Sequence, residues 1–207
     1  MARRQERAIK TRAAIVRAAA EVFDECGFAG ASISKIIQRA GTTMGAMYFH
    51  FPSKEALAQA VMADQAADMI FEPGRDGLQR LVEISMDVAH QLRTDVLLRA
   101  GVRLAVEQGA FGMQDGTAYQ WWIDRFTEQL TAAREQGDLL PQVDEAACAR
   151  MLVGAYSGTQ LLSQIMTGRE DLPEQVAALW RFVLPGIAEP EAISRLDLET
   201  AGPKATT

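Results

Sequence analysis

Cysteine and histidine are scarce in this chain, with two of each in 207 residues. Cys26 and Cys148 are far apart and fit no metal or redox spacing, so the sequence predicts two buried, reduced thiols. His50 and His90 do not supply the convergent groups that catalysis requires. His-Glu-x-x-His, Gly-x-x-x-x-Gly-Lys-Ser/Thr and Gly-x-Gly-x-x-Gly are all missing, and Gly154-Ala-Tyr-Ser-Gly158 is not a nucleophile elbow. These absences argue against an enzyme, and neither a metal nor a cofactor is expected. No apolar run approaches the roughly 20 residues that span a bilayer. The N-terminus is charged and has no continuous apolar segment, so a cytoplasmic protein without membrane anchor or secretory signal is expected.

Hydrophobic residues make up 48% and charged residues 23%, which excludes wholesale disorder. Ala, Leu, Glu, Arg and Gln are abundant and alternating β-branched runs are few, so the fold class expected is all-α. The length allows one or two domains. Charge is unevenly spread. Residues 1–54 hold nine of the 21 Lys/Arg but only four of the 27 Asp/Glu, whereas the remainder holds 12 basic and 23 acidic residues. A basic N-terminal block on an acidic chain suits a small DNA-binding domain attached to a domain with another task.

The organising stretch is Ser32 to Lys54. Ser32 is a good N-cap, and Ile33, Ile36, Ile37 and Ala40 follow at helical spacing. Gly41 tolerates the left-handed backbone that ends a helix. Thr42 or Thr43 then caps a second helix over about Met44 to Phe49, Pro52 stops it, and Ser53 caps the next. Two short helices on a tight turn suit a helix-turn-helix, whose second helix enters the DNA major groove. The alternative is an ordinary helical hairpin in a core. Ahead of it, a helix over about Glu6 to Cys26 places Ile9, Ala13, Val16, Ala20 and Phe23 on one stripe and ends at Gly27. Phe28 plugs the core of the three-helix domain. Arg3, Arg4, Arg7, Lys10 and Arg12 crowd the start of the first helix, within reach of phosphates. By position, Thr43 faces phosphate oxygens, Gly45 and Ala46 keep the recognition face small, and Tyr48, His50 and Lys54 approach the DNA backbone. Phe49 and Phe51 are expected in the core.

Thr11-Arg-Ala-Ala-Ile15, Ala19-Ala-Glu-Val-Phe-Asp-Glu-Cys-Gly-Phe28, Ser32-Ile-Ser34, Ala40-Gly41 and Gly45-Ala-Met-Tyr-Phe-His-Phe-Pro-Ser-Lys-Glu-Ala-Leu57 together resemble the N-terminal domain of the TetR family of repressors. Within that family the chain is most similar to the γ-butyrolactone-type autoregulator receptors of actinobacteria. Leu98-Arg-Ala-Gly-Val-Arg-Leu104, Trp122, Gly137-Asp-Leu-Leu-Pro141 and Gly154 to Gln160 extend the likeness. The resemblance implies a homodimer that binds double-stranded, near-palindromic operator DNA and is released by a small-molecule effector. It implies a DNA-binding set of Arg7, Lys10, Ser32, Thr42, Thr43, Met44, Gly45, Tyr48, His50 and Lys54. One departure stands out: relatives carry Val-Thr-Lys-Gly where this chain has Thr42-Thr43-Met44-Gly45. Met44 forgoes a phosphate-neutralising lysine and instead suits a thymine methyl.

The rest reads as a helical ligand-binding and dimerisation domain over residues 55–198, with a disordered tail at 199–207. A connector helix over Ser53 to Asp68 buries Ala56, Leu57, Ala60 and Val61. It also turns Gln65 inward, toward an effector or another side chain. Residues 71–77 read as a loop. A fifth helix over Leu78 to Arg93 faces Leu78, Leu81, Val82, Ser85, Ala89 and Leu92 inward, and a sixth covers Asp95 to Gln108. Gly109 to Gly116 is expected as a flexible loop over the pocket entrance. In a seventh helix, Thr117 to Gln136, Tyr119, Trp122, Phe126, Leu130 and Ala133 share a stripe, with Trp121 more exposed. Trp122 suits a lipophilic ligand with a carbonyl; without the resemblance it reads as a core tryptophan. An eighth helix, Asp144 to Met166, is apolar nearly all round, and a ninth, Leu172 to Leu184, carries Val176, Leu179, Trp180 and Val183. A two-fold dimer through helices eight and nine would bury both. Ser157 bonds either the effector or the preceding helical turn.

The ligand set expected is Gln65, Val82, Ser85, Leu92, Val102, Trp122, Phe126 and Ser157. The function expected is a repressor released by a γ-butyrolactone, butenolide or furan, the alternative being release by an antibiotic or other lipophilic compound. The effector is expected to enter between helices four to eight, press on helix four and change the spacing of the two DNA-reading heads.

Overall fold

The computed structural model describes residues 2–67 and 74–198, with side chains over 5–65 and 74–198. Among the described residues there are ten α-helices, one 3-10 turn and no strand: α1 (Ala2–Gly30), α2 (Ile33–Ala40), α3 (Met44–His50), α4 (Lys54–Ala67), α5 (Leu78–Thr94), α6 (Val96–Glu107), the turn Gln108–Phe111, α7 (Thr117–Glu135), α8 (Glu145–Thr167), α9 (Leu172–Ile187) and α10 (Pro190–Ile193). The all-α expectation holds. The chain divides into two compact units, Met1–Met69 with Asp95–Ala118, and Ile70–Thr94 with Tyr119–Thr207. A cut at residue 54 does not anticipate that α4 and α6 belong with the N-terminal helices.

The first unit is built on the α1 stripe. Ile15, Ala19 and Val22, with Val16, Ala20 and Phe23, are fully or nearly enclosed. They meet Ile36 of α2, Met47 of α3, Leu57, Ala58 and Val61 of α4 and Ala100 and Leu104 of α6 in one apolar cluster. The expected stripe began too early. Ile9 is 62% exposed and Ala13 is exposed, because the stripe is covered only from residue 15 onward. Gly27 adopts φ 69° and ψ 178°, a backbone that only glycine enters cheaply, and kinks α1 into a last turn that reaches Gly30. Cys26 is half-buried rather than buried, whereas Cys148 is enclosed as expected; both are free thiols. The segment after α6 is held down, not loose. Phe111 stacks on Phe28 at 4.3 Å, and the Gln108 amide both donates to Asp115 O and accepts from Asp115 N.

In the second unit, α9 buries Leu172, Val176, Ala177, Trp180, Leu184 and Ile187 and packs against α5 and α8. It runs one turn beyond the expected end, through Pro185, to Ile187. Asp144 caps α8 by accepting from Ala147 N at 2.8 Å, and Gly168 closes it at φ 64°. The Arg134 guanidinium ties α7 to the next loop. It pairs with Glu145 at 2.7 Å and donates to the carbonyls of Leu140 and Val143. Gln129, almost fully buried, holds the start of α5 by donating to Asp76 and accepting from Gly77 N. Residues 71–73 of the expected loop, Asp68 of the connector and the expected tail at 199–207 lie outside the described residues.

Candidate functional site

Helices α2 and α3 form two short rods joined by a tight turn, and each boundary has a local cause. The Ser32 hydroxyl accepts from Lys35 N at 3.3 Å, and the Thr43 hydroxyl accepts from Ala46 N at 3.2 Å. Of the two threonines, Thr43 is thus the cap, while half-buried Thr42 donates its N–H to Ile37 O. Gly41 between them sits at φ 60° and ψ 36°, the left-handed geometry that closes α2. Ser53 caps α4 by accepting from Ala56 N. The Arg39 fork on Glu25, at 2.7 Å, fastens α2 to α1 and holds that carboxyl below the ordinary carboxylate range.

Helix α3 is anchored by Met47, with no exposed surface, and by Phe51 just beyond it. Its outward residues are Met44, Gly45, Tyr48 and Phe49. Phe49 corrects the expectation of core packing, since it is 80% exposed. Successive helix positions turn by about 100°. Two steps from buried Met47 therefore put Phe49 on the opposite side of the rod. His50 is half-buried with Phe49 edge-on to it at 5.1 Å. Arg7, Ser32 and Lys10 are exposed, and Lys10 pairs with Glu6 one turn away.

Lys54 departs from the DNA-facing set. Its ammonium donates to Phe28 O at 2.8 Å and Ala31 O at 3.0 Å and lies 4.3 Å from the centre of the Phe28 ring. Those three contacts spend its charge on the α1–α2 connection and withdraw it from a phosphate. Missed by sequence reading is the α6 contact on the same connection. Glu107 accepts from Phe28 N at 2.7 Å, Arg103 donates to Asp24 O, and Arg99 pairs with Asp24 at 2.9 Å. Arg99 and Arg103 are four apart, and Arg103 and Glu107 are four apart, so one face of α6 carries two cations followed by a carboxylate. That spacing was a readable signal.

The expected ligand residues fall into both units. Gln65 and Val102 belong to the first; Val82, Ser85, Leu92, Trp122, Phe126 and Ser157 belong to the second. Gln65 is buried, has no hydrogen-bonding partner among the described residues, and lies against Gly101, where a Cβ would collide with its amide. Val102 is half-buried, and Val82 and Leu92 are fully enclosed. Trp122 is half-buried and set edge-to-face with Trp121 at 4.8 Å and Phe126 at 6.1 Å; Trp121 is the more exposed of the pair, as expected. Ser85 is already committed to the core. Its hydroxyl donates to Val82 O and accepts from the Trp180 indole N–H, both at 2.7 Å, and its carbonyl accepts from Tyr156. Burial pushes the Tyr156 phenol well above its ordinary range, so it acts only as a neutral donor. Ser157 resolves toward the preceding turn, donating to Val153 O at 2.8 Å. A separate cleft of about 520 Å³ opens beside Asp87, His90, Arg93 and Glu170; burial, and secondarily Arg93, lowers the His90 pKa.

Among the described residues no helix is long and apolar enough to cross a membrane. Residues 15–61 match the model of bacterial regulatory proteins of the TetR family, and residues 75–189 match a tetracycline-repressor-like C-terminal domain. The A-factor receptor protein of Streptomyces griseus is 42% identical over 198 residues, spanning 95% of this chain and 70% of the receptor. The crystal structure of full-length native TylP, a TetR regulator from Streptomyces fradiae, is 43% identical with a TM-score of 0.81, covering 93% of each chain. A crystal structure of a γ-butyrolactone receptor, an ArpA-like protein, is 29% identical with a TM-score of 0.74, covering 91% of this chain and 94% of that one. Proteins of this kind bind operator DNA and small molecules, typically as dimers. With its capped helix-turn-helix inside the matched N-terminal segment, this chain belongs to the TetR family and is a transcriptional regulator, not an enzyme.

Proposed function

We propose that the protein is a homodimeric repressor whose α2–α3 element reads a near-palindromic operator and whose occupancy is set by a small lipophilic signal of the γ-butyrolactone, butenolide or furan type. The observation that carries the reading is the capped α2–Gly41–α3 element with an open outer face on α3. Residues 1–54 serve DNA, and residues 55–198 serve ligand binding and self-association. The DNA set is Arg7, Lys10, Ser32, Thr42, Thr43, Met44, Gly45, Tyr48 and His50, with Lys54 reassigned to structure. Two recognition helices of a dimer would meet successive major grooves about one helical turn apart.

The signal class is supported by the likeness to an A-factor receptor and to a γ-butyrolactone receptor. Trp122 and Phe126 offer wide apolar faces to a lipophilic ligand, and Gln65 stays in the expected ligand set because its buried amide has no partner among the described residues. Self-association is supported by the apolar surface that a single chain leaves open on α8 and α9: Leu162, Ile165, Met166 and Phe182 are 62, 71, 71 and 86% exposed. Release requires that the signal bind the DNA-incompetent state more tightly. Moving a population from 99:1 to 1:99 takes roughly 10⁴-fold preference.

An electrophoretic mobility shift of the full-length protein on its own upstream DNA at low salt tests the reading. A retarded complex that a synthetic γ-butyrolactone dissolves is expected. No retardation at low salt overturns the repressor. Retardation that only an antibiotic relieves transfers the protein to the other effector class.

A further inference from the structure

Helix α3, Met44-Gly-Ala-Met-Tyr-Phe-His50, contains no lysine, arginine, aspartate, glutamate, asparagine or glutamine. Those are the side chains that recognise guanine, adenine and cytosine edges by hydrogen bonds. The face it leaves open is formed by Met44, Gly45, Tyr48 and Phe49 and is apolar apart from the Tyr48 hydroxyl. Met44 is 43% exposed and Phe49 is 80% exposed. At Gly45, which lies between them around the helix, a Cβ would meet nothing within 4 Å. Met47 and Phe51 hold the inner side in the core.

In the major groove one base-edge feature is sensed by apolar contact, the C5-methyl of thymine. Resting on the operator-binding reading above, we propose that Met44 and Phe49 are specificity-determining residues that cover thymine methyls, so that operator choice depends on methyl contacts instead of hydrogen bonds to purines. Met44 is the first residue of α3, the end of a recognition helix that meets base edges, and its unbranched thioether adapts to the methyl it covers. Phe49 stands five positions on, about 7.5 Å along the helix and roughly 140° around it, so the two residues cover separate thymines.

The test uses the full-length protein and duplexes that it selects from a randomised pool. Each thymine of a selected duplex is replaced in turn by deoxyuridine, which removes the methyl and keeps every hydrogen-bonding group. At the contacted positions, affinity should fall about fourfold per methyl, with the salt dependence of binding unchanged. Met44→Ala and Phe49→Ala should each bind the thymine duplex more weakly, and each should abolish the deoxyuridine penalty at its own position. Deoxyuridine duplexes bound as tightly as thymine duplexes overturn the proposal, as does a penalty that survives in the double alanine variant. A selection that returns no preferred sequence overturns the operator-binding reading itself.

Discussion

The Glu107 carboxylate accepts the backbone N–H of Phe28 at 2.7 Å, so the C-terminal end of α6 caps a kink 79 residues away in sequence. The kink is Gly27, and a Cβ there would lie 2.7 Å from Arg103 Nη2 and 2.8 Å from the Glu107 carboxylate. Glycine is thus required twice, by backbone and by space. Gly27→Ala should lower stability by about 2 kcal/mol or more, from an essentially glycine-only backbone region and from displacing an ion pair. Urea unfolding checks it: the midpoint should fall with the slope unchanged.

Lys54 and Met44 give opposite expectations. Lys54→Met removes two charge-assisted bonds to carbonyls and the contact with the Phe28 ring, so it should cost about 2 kcal/mol of stability. It should leave the slope of log K against log salt unchanged. A phosphate-bound lysine would lower that slope by about one.

Met44→Lys touches nothing in the core. It should steepen the salt slope by about one and tighten binding to operators of γ-butyrolactone-type receptors. Filter binding at several salt concentrations measures both; an unchanged slope would show that position 44 does not approach a phosphate.

These two residues also mark how far the sequence was legible. The caps at Ser32 and Ser53, the choice of Thr43 over Thr42 and the left-handed Gly41 are local chemistry, and each lies within what the sequence indicates. What local pattern hid was long-range partnership. Lys54 reads as a free cation because the carbonyls it caps lie 23 and 26 residues upstream. Ser85 reads as a ligand contact because its partner, Trp180, is 95 residues away. Phe49 was a different kind of error. Met47 is the buried anchor of α3, and a residue two helical steps from it belongs on the outside.

Ser85 and Trp122 carry opposite expectations in the second unit. Ser85→Ala leaves the buried Trp180 N–H without its acceptor and should cost about 1–3 kcal/mol, while release from DNA by the effector persists. Trp122→Ala should do the reverse, keeping DNA binding and losing effector-induced release. Thermal unfolding and a fluorescence-anisotropy release assay on both variants distinguish them. Release that survives Trp122→Ala reduces it to a packing residue.

If the open face of α8 and α9 is the proposed dimer interface, a charge placed there should separate the two DNA-reading heads. Leu162, Ile165, Met166 and Phe182 are large, apolar and mostly exposed in one chain. Burying each is worth about 1.5–3 kcal/mol, and a two-fold interface counts every residue twice. Leu162→Glu adds two carboxylates to such an interface without disturbing the fold of one chain. Sedimentation should show a monomer where the unaltered protein is a dimer. Operator affinity should then fall by roughly 10²–10⁴, because each head binds its half-site without the other to hold it there. A variant that remains dimeric and binds DNA normally would place the interface elsewhere and leave this apolar face without an explanation.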